Sequence, residues 1–523
     1  MALIGVAYFG MELFTTRPVG DTMATTIWRA SSSWTLIALP MFIWMGEILF
    51  RTRLSQDMFR GLAPWMAKLP GGLVHSNIVG CTVFAAVSGS SAATLTTVGK
   101  MSIPELRKRE YPETMIIGTL AGAATLGLMI PPSLTLIVYG VSINESIIKL
   151  FFAGILPGLV LAGMFMAFVA IRHYTHSHIR PEGTEEASGI ATLIGLAVLG
   201  VLGYAMFQYG LSFQHALAIV GVLVIAAAIA TGLNQVEDII SRQAFIGIGA
   251  GIAVVLAYLL FIWAFNDTKE GPPQYPHVKY LIGLVVFFWA IGARATEASF
   301  REKLDNSRFL IPVLCLISAV IGSMFTGAAT ATEAAAIGVL GALFLAALQG
   351  SLNWSTFSES LMGATRTSAM IALILAGAAF LKLAMGFTGL PAGLADLIAS
   401  WDLSRFQLLM VLLVFYIILG CFLDGISAVV LTMAVVEPMV RNAGIDMIWF
   451  GIFIVVVVEM AQITPPIGFN LFVLQGMTDH EMSFIAKAAI PMFLIMVLMV
   501  FVLILFPELA TWLPDNVRQG PNG

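Results

Sequence analysis

Along this chain, runs of apolar residues alternate with short polar connections. This is the pattern of helices that cross a bilayer, which need roughly 17–25 apolar residues each. Such runs fall near 33–50, 114–142, 150–171, 190–207, 213–232, 244–264, 279–293, 310–326, 333–349, 367–386, 446–476 and 488–506. Two pairs of shorter runs differ: 72–87 with 91–103, and 406–421 with 426–440. Small polar residues split each pair, SGSS at 88–91 and DGIS at 424–427, which predicts hairpins that enter the membrane and return on the same side. Such backbone survives only when buried in protein or lining a wet cavity. Two of the long runs carry adjacent prolines, in MIPPS at 129–133 and ITPPIG at 463–468. Proline lacks the backbone N–H and clashes with the preceding turn, at about 3 kcal/mol inside a helix. Each proline pair therefore marks a place where a helix stops and restarts.

Overlaying 90–157 on 424–491, a constant shift of 334, sets Pro104 on Pro438, Pro131 and Pro132 on Pro465 and Pro466, and Pro157 on Pro491. The order hairpin, interrupted helix, helix thus occurs twice. Arg51, Arg53, Arg60, Lys68, Arg107, Lys108 and Arg109 flank the first hairpin, whereas Arg405 and Arg441 flank the second. By the positive-inside rule the two units are expected to be inverted, the architecture of secondary transporters. The expected organisation is an N-terminal helix in 1–32 and a first repeat at 33–171, with its hairpin at 72–103 and interrupted helix at 114–142. Loops and about four additional helices occupy 172–309, followed by scaffold helices at 310–366. The second repeat spans 367–506, with its hairpin at 406–440 and interrupted helix at 446–476, before a tail at 507–523.

Composition agrees with this reading. Of 523 residues, 59% are hydrophobic and 11% charged, against about 25% charged in soluble chains. The fold class is an all-α polytopic membrane protein. A net charge of −4 gives no sign of a nucleic-acid partner. Cys81, Cys315 and Cys421 lie in apolar segments and read as small core residues rather than a disulfide framework or zinc site. His173, His176 and His178 share a basic connection without acidic or cysteine partners, and read as a solvated loop. No nucleophile triad, phosphate loop or HExxH pattern occurs, so an enzyme is not expected. The N-terminus lacks the basic segment and cleavage pattern of a signal peptide.

The breaks carry the candidate chemistry. An unwound stretch frees carbonyl oxygens, which suit a hard cation such as Na+, and the half-helix that follows presents N–H groups suited to a carboxylate. Ser88, Ser90, Ser91 and Thr94 add hydroxyls from the first hairpin tip. The second unit offers Asp424, Ser427, Thr464 and Asn470, with carbonyls near Pro465 and Gly468. Two pseudo-equivalent cation sites with an anion between them is the natural expectation. Asp424 suits either binding and gating or capping of its hairpin. Glu47, Glu437 and Glu459 are expected to have structural roles, pairing with Lys382 or Arg366 or snorkelling to the interface.

The segments LPMFIWMGEIL at 39–49, LPGGLVHSNI at 69–78, AAVSGSSAAT at 85–94, MIPPS at 129–133, FTGAATATEAAAIG at 325–338, FLDG at 422–425 and ITPPIGFNLF at 463–472 together resemble the large membrane subunit of the tripartite ATP-independent periplasmic (TRAP) transporters, the DctM-like proteins. The resemblance implies a multi-pass protein of a bacterial inner membrane. It also implies a small four-helix membrane partner and a periplasmic solute-binding protein that delivers a small organic acid. Import would be driven by a sodium gradient, through an elevator-like movement of the hairpin-bearing domain. By resemblance, sodium is held at Ser88, Gly89 and Ser90 with Ile130 and Pro131, and at Phe422 and Gly425 with Thr464, Pro465 and Gly468. Substrate contacts are expected at Ser91, Thr94, Ser133, Asp424 and Asn470. The alternative is a stand-alone ion-coupled organic anion transporter without a binding protein. Two departures stand out. Segments 190–293 add about four helices that shorter relatives would not need, and the first helix, Ala2 to Phe14, is short enough to suggest a start upstream of Met1.

Overall fold

The structure is a computed structural model that describes residues 2–67, 69–175, 305–389, 391, 393, 401 and 403–516. The apolar segments expected at 190–207, 213–232, 244–264 and 279–293 lie outside these residues, as do Lys68, His176 and His178. The regular structure among the described residues is helical, with no strand. Among the described residues, five helices are long and apolar enough to cross a membrane, or six if the bent pair across Pro131 and Pro132 counts as one span.

The chain begins with α1 (Ala2–Phe14) and α2 (Val19–Ser31), then a 3-10 turn at Trp34–Ile37, α3 (Ala38–Arg51) and α4 (Leu54–Met66). The first hairpin is α5 (His75–Ser88) and α6 (Ser91–Lys108). The first interrupted helix runs as α7 (Glu113–Ala124) and α8 (Leu126–Met129), breaks, and resumes as α9 (Leu134–Ile143), followed by α10 (Ile147–Thr175). After the undescribed segment come α11 (Ile311–Phe325), α12 (Ala331–Leu348) and α13 (Trp354–Thr388). The second hairpin is α14 (Arg405–Gly420) and α15 (Gly425–Asn442), and the second interrupted helix is α16 (Met447–Gln462) and α17 (Phe469–Met477). Helices α18 (Met482–Leu505) and α19 (Glu508–Asn516) complete the fold. Hairpin, broken helix and helix therefore follow one another twice, and both breaks contain a cis Pro-Pro bond.

Local chemistry sets many of the helix starts. The side chains of Ser90, Ser133, Asp424 and Asp446 each accept a backbone N–H three residues on, satisfying a donor that the first turn leaves open. Thr330 with Glu333, and Ser404 with Gln407, form reciprocal capping boxes. Packing then sorts the helices. α16 is buried on every side, as expected of a uniformly apolar helix. Around it pack α14, α15, α10 and α18. α3 packs with α12 and α13, and α1 lies along α13. The Tyr139 hydroxyl donates to the Met447 carbonyl (2.7 Å), tying the first unit to the second.

Three features exceed the apolar pattern. α2 and α4 are amphipathic helices in stretches too polar to read as spans, and the tail holds α19. α13 starts at Trp354, ahead of the apolar run at 367, because Asn353 caps a polar first segment. The expected ion pairs form only in part. Glu437 meets Lys382 at 2.7 Å, but Glu47 pairs with Arg51 of its own helix at 3.1 Å. Glu459 pairs with neither Lys382 nor Arg366: it is 1% exposed inside α16, and neither carboxyl oxygen has a hydrogen-bond partner. Its position on a helix buried all round keeps it from the more exposed cations.

Candidate functional site

At the first tip, Ser88 ends α5, Gly89 turns the chain in the left-handed region (φ +60°), and Ser90 starts α6. The tip sits directly on the first break. The Leu134 N–H donates to the Gly89 carbonyl (3.3 Å), so the hairpin caps the restarting half-helix α9. A side chain on Gly89 would lie 2.7 Å from the Pro132 carbonyl oxygen, and one on Gly127 would meet the Ser90 carbonyl and Thr94 Oγ1 at 2.7 Å. Ser88 Oγ and Thr94 Oγ1 are 2.7 Å apart. Pro131 and Pro132 have no N–H for the carbonyls of Gly127 and Leu128, and the Ser133 hydroxyl takes up the Leu128 oxygen. The structure thus brings Ser88, Gly89, Ser90, Ser91, Thr94, Ile130, Pro131 and Ser133 into one buried, oxygen-rich junction.

The second junction is more open. Cys421 Sγ donates to the Pro465 carbonyl (3.4 Å), and the backbone of Gly425 faces Val458 and Gln462 of α16. The Asp424 carboxylate accepts the Ser427 N–H (3.1 Å), so one of its oxygens caps α15. Thr464 Oγ1 turns back to the Met460 carbonyl (2.8 Å) rather than into the break. Phe422, Pro465, Ile467 and Phe469 are exposed, whereas Ile130 to Leu134 are buried. Gly468, in the left-handed region (φ +48°), lies against the Thr464 carbonyl.

Asn470 does not join the Asp424 tip by any hydrogen bond. It is fully buried, with neither side-chain atom partnered, on a half-helix that packs along α6. Direction follows from the C-terminal end of that pairing. Gly99, eight residues into α6, faces Met477, eight residues beyond Phe469. Beyond the two helices, Glu113 joins Arg107 (2.6 Å) to His480 (3.1 Å). The helices therefore run parallel, which turns the Asn470 end of α17 toward the Ser91 end of α6. The carboxyl of Glu459 also reaches the Ser91 end, where the Ser91 hydroxyl interacts with it. Ser91 and Thr94 thus stand at the start of α6 and Asn470 at the start of α17, which packs along it, while one Asp424 oxygen caps α15.

Sequence reasoning passed over a large cavity of about 1480 Å³ between α2, α9, α13 and α15. Thr22, Thr25, Thr26 and Arg29 line it from one face of α2, with Arg17 nearby and Lys382 opposite. The i, i+3, i+4, i+7 spacing of those residues was the available signal. None of the predicted site residues lines this cavity. Among the described residues there is no group of three or more His, Cys, Asp or Glu side chains placed to hold a metal ion.

Comparison with known proteins places these features in context. The chain matches the family model described as "Tripartite ATP-independent periplasmic transporter, DctM component" over residues 1–238 and 218–509. It is 23% identical to the C4-dicarboxylate TRAP transporter large permease protein DctM of Pseudomonas aeruginosa, covering 94% of this chain and 89% of that one. It is 24% identical to the isethionate TRAP transporter permease protein DctMQ of Oleidesulfovibrio alaskensis, covering 94% of this chain and 59% of the relative. It is 23% identical to the ectoine/5-hydroxyectoine TRAP transporter large permease protein UehC of Ruegeria pomeroyi, over 98% and 94%. With matching segments that run through both hairpins and both breaks, the chain belongs to the DctM family, the large permease components of TRAP transporters.

Proposed function

We propose that this permease imports a small organic anion in exchange for the energy of a sodium gradient, receiving its substrate from a solute-binding protein and working with a small membrane subunit. The observation that carries the reading is the seating of Gly89 on Leu134, which closes a buried shell of hydroxyl and carbonyl oxygens around the first break. Such oxygens suit a hard monovalent cation. The first half-helix has its leading N–H groups satisfied by Gly89 and Ser133. The anion is therefore assigned to the space between the Ser91 and Thr94 end of α6 and the start of the second half-helix, where the side-chain amide of Asn470 is unpartnered. The substrates in the relatives' names, a C4-dicarboxylate, isethionate and ectoine, are small molecules bearing an acidic group.

The excess of basic residues around the first hairpin supports inverted orientations of the two units in the inner membrane. The hairpins and broken helices would then move together against α1, α3, α12 and α13. Cation binding biases that motion through its differential affinity for the two states. The deciding experiment is uptake into proteoliposomes holding this chain with its small subunit, under an inward sodium gradient, with radiolabelled organic acids. Uptake that requires both sodium and the binding protein supports the reading. Uptake that ignores the binding protein points to a stand-alone transporter, and uptake that ignores sodium overturns the coupling. In the same system, Ser88→Ala should raise the sodium concentration for half-maximal uptake, since it removes one hydroxyl of the shell.

A further inference from the structure

Glu459 has no role in the scheme above, and its surroundings are unusual. It is 1% exposed on α16, both carboxyl oxygens lack hydrogen-bond partners, and the Ser91 hydroxyl is the polar side chain that interacts with it. No charged side chain among the described residues faces it. Tyr139 and Tyr416, on packed helices α9 and α14, direct their hydroxyls to Met447 and Thr432. On α15, Glu437 and Arg441 pair with each other and Asp424 caps its own helix. An ionised carboxylate in such a place carries a desolvation penalty of several kcal/mol with nothing to offset it. A neutral carboxylic acid avoids that penalty and can donate to Ser91.

We infer that Glu459 is a proton-binding site, built between the two units, that takes up one proton from water together with the substrate anion. The location supplies the coupling, and this step rests on the proposed anion position at Ser91 and Asn470. A charged carboxylate at that level would repel an arriving anion, whereas a protonated one would not. Anion binding and proton binding then favour each other, and by linkage each raises the affinity of the other by the same factor. The loaded site carries less net charge through the apolar barrier. Release of the proton accompanies release of the anion, when the Ser91 tip lifts from α16 and water enters.

Two measurements test this. First, infrared difference spectra of the purified full-length chain should show the carbonyl band of a protonated carboxylic acid. That band should be lost in Glu459→Gln and shifted in Ser91→Ala, and in the wild type it should diminish as pH is raised, reporting loss of the proton. This reading needs no transport activity, so it stands apart from the proposed function. Second, proteoliposomes loaded with a pH-sensitive dye should report proton entry coupled to uptake of succinate. Apparent affinity for succinate should fall by up to about tenfold per pH unit above the titration point, and Glu459→Gln should flatten that dependence. Absence of the acid band, or a band unaffected by Glu459→Gln, overturns the proposal. So does a band that never titrates alongside uptake with the same pH profile in both proteins, which would make Glu459 a structural acid. If Glu459→Gln does not fold, titration of the wild-type band decides. If succinate is not transported, the spectra still decide.

Discussion

Gly89 illustrates how much a single position decides. A left-handed backbone disfavours any L side chain by about 1–2 kcal/mol, and here a Cβ would also meet the Pro132 carbonyl at 2.7 Å. Gly89→Ala is therefore expected to lower the thermal midpoint of the detergent-purified protein and to abolish sodium stimulation of uptake. An unchanged melting curve would show that the tip does not depend on that contact. Asp424 makes a different case. Its carboxylate caps α15, so Asp424→Ala should lose about 1 kcal/mol, while Asp424→Asn should restore stability because asparagine caps as well. Uptake that fails in the asparagine variant despite normal stability would assign the charge a role beyond capping.

The elements depend on interruptions more than on propensity. Helices α16 and α17 would run on as one if Pro465 and Pro466 supplied N–H groups for the carbonyls of Ala461 and Gln462. The double change Pro465→Ala with Pro466→Ala is expected to leave folding intact and eliminate transport, as measured by uptake beside a melting curve. Retained uptake would mean that the break itself is dispensable. At the same scale, Lys382 on α13 links to Glu437 on α15 and to the Ser142 carbonyl after the first break. This bond joins the proposed static helices to the proposed moving ones. Lys382→Met should therefore alter the uptake rate more than the melting temperature, since Glu437 keeps Arg441 as a partner. A loss of stability without any change in rate would make the pair a simple brace.

Across the whole molecule, two interlocked units share one centre. The Ser91 end of the first hairpin reaches α16 of the second unit, and the Gly425 end of the second lies near Leu128 of the first. At the far ends of α6 and α17, Arg107, Glu113 and His480 complete the alignment. These groups are about one-third exposed, so Glu113→Gln should cost less than about 1 kcal/mol in chemical denaturation. A much larger loss would show that the cluster, rather than the apolar packing between α7 and α18, holds the units in register.

Much of this was legible in the residues themselves. The hairpin tips at 88–91 and 424–427 and the stops at both Pro-Pro pairs depend on missing N–H groups and small side chains, which act within a few residues of where they stand. The apolar runs fixed where most described helices lie for the same reason, because burial of a helix face is written into its own composition. What no local pattern contained was which element each side chain meets. The burial of Glu459 near Ser91, the packing of α17 along α6, the buried first break beside an exposed second one, and the cavity faced by α2 all arise from contacts between elements well separated in the chain. Those contacts follow from how helices of nearly uniform hydrophobicity settle against one another, and only the tertiary structure decides that.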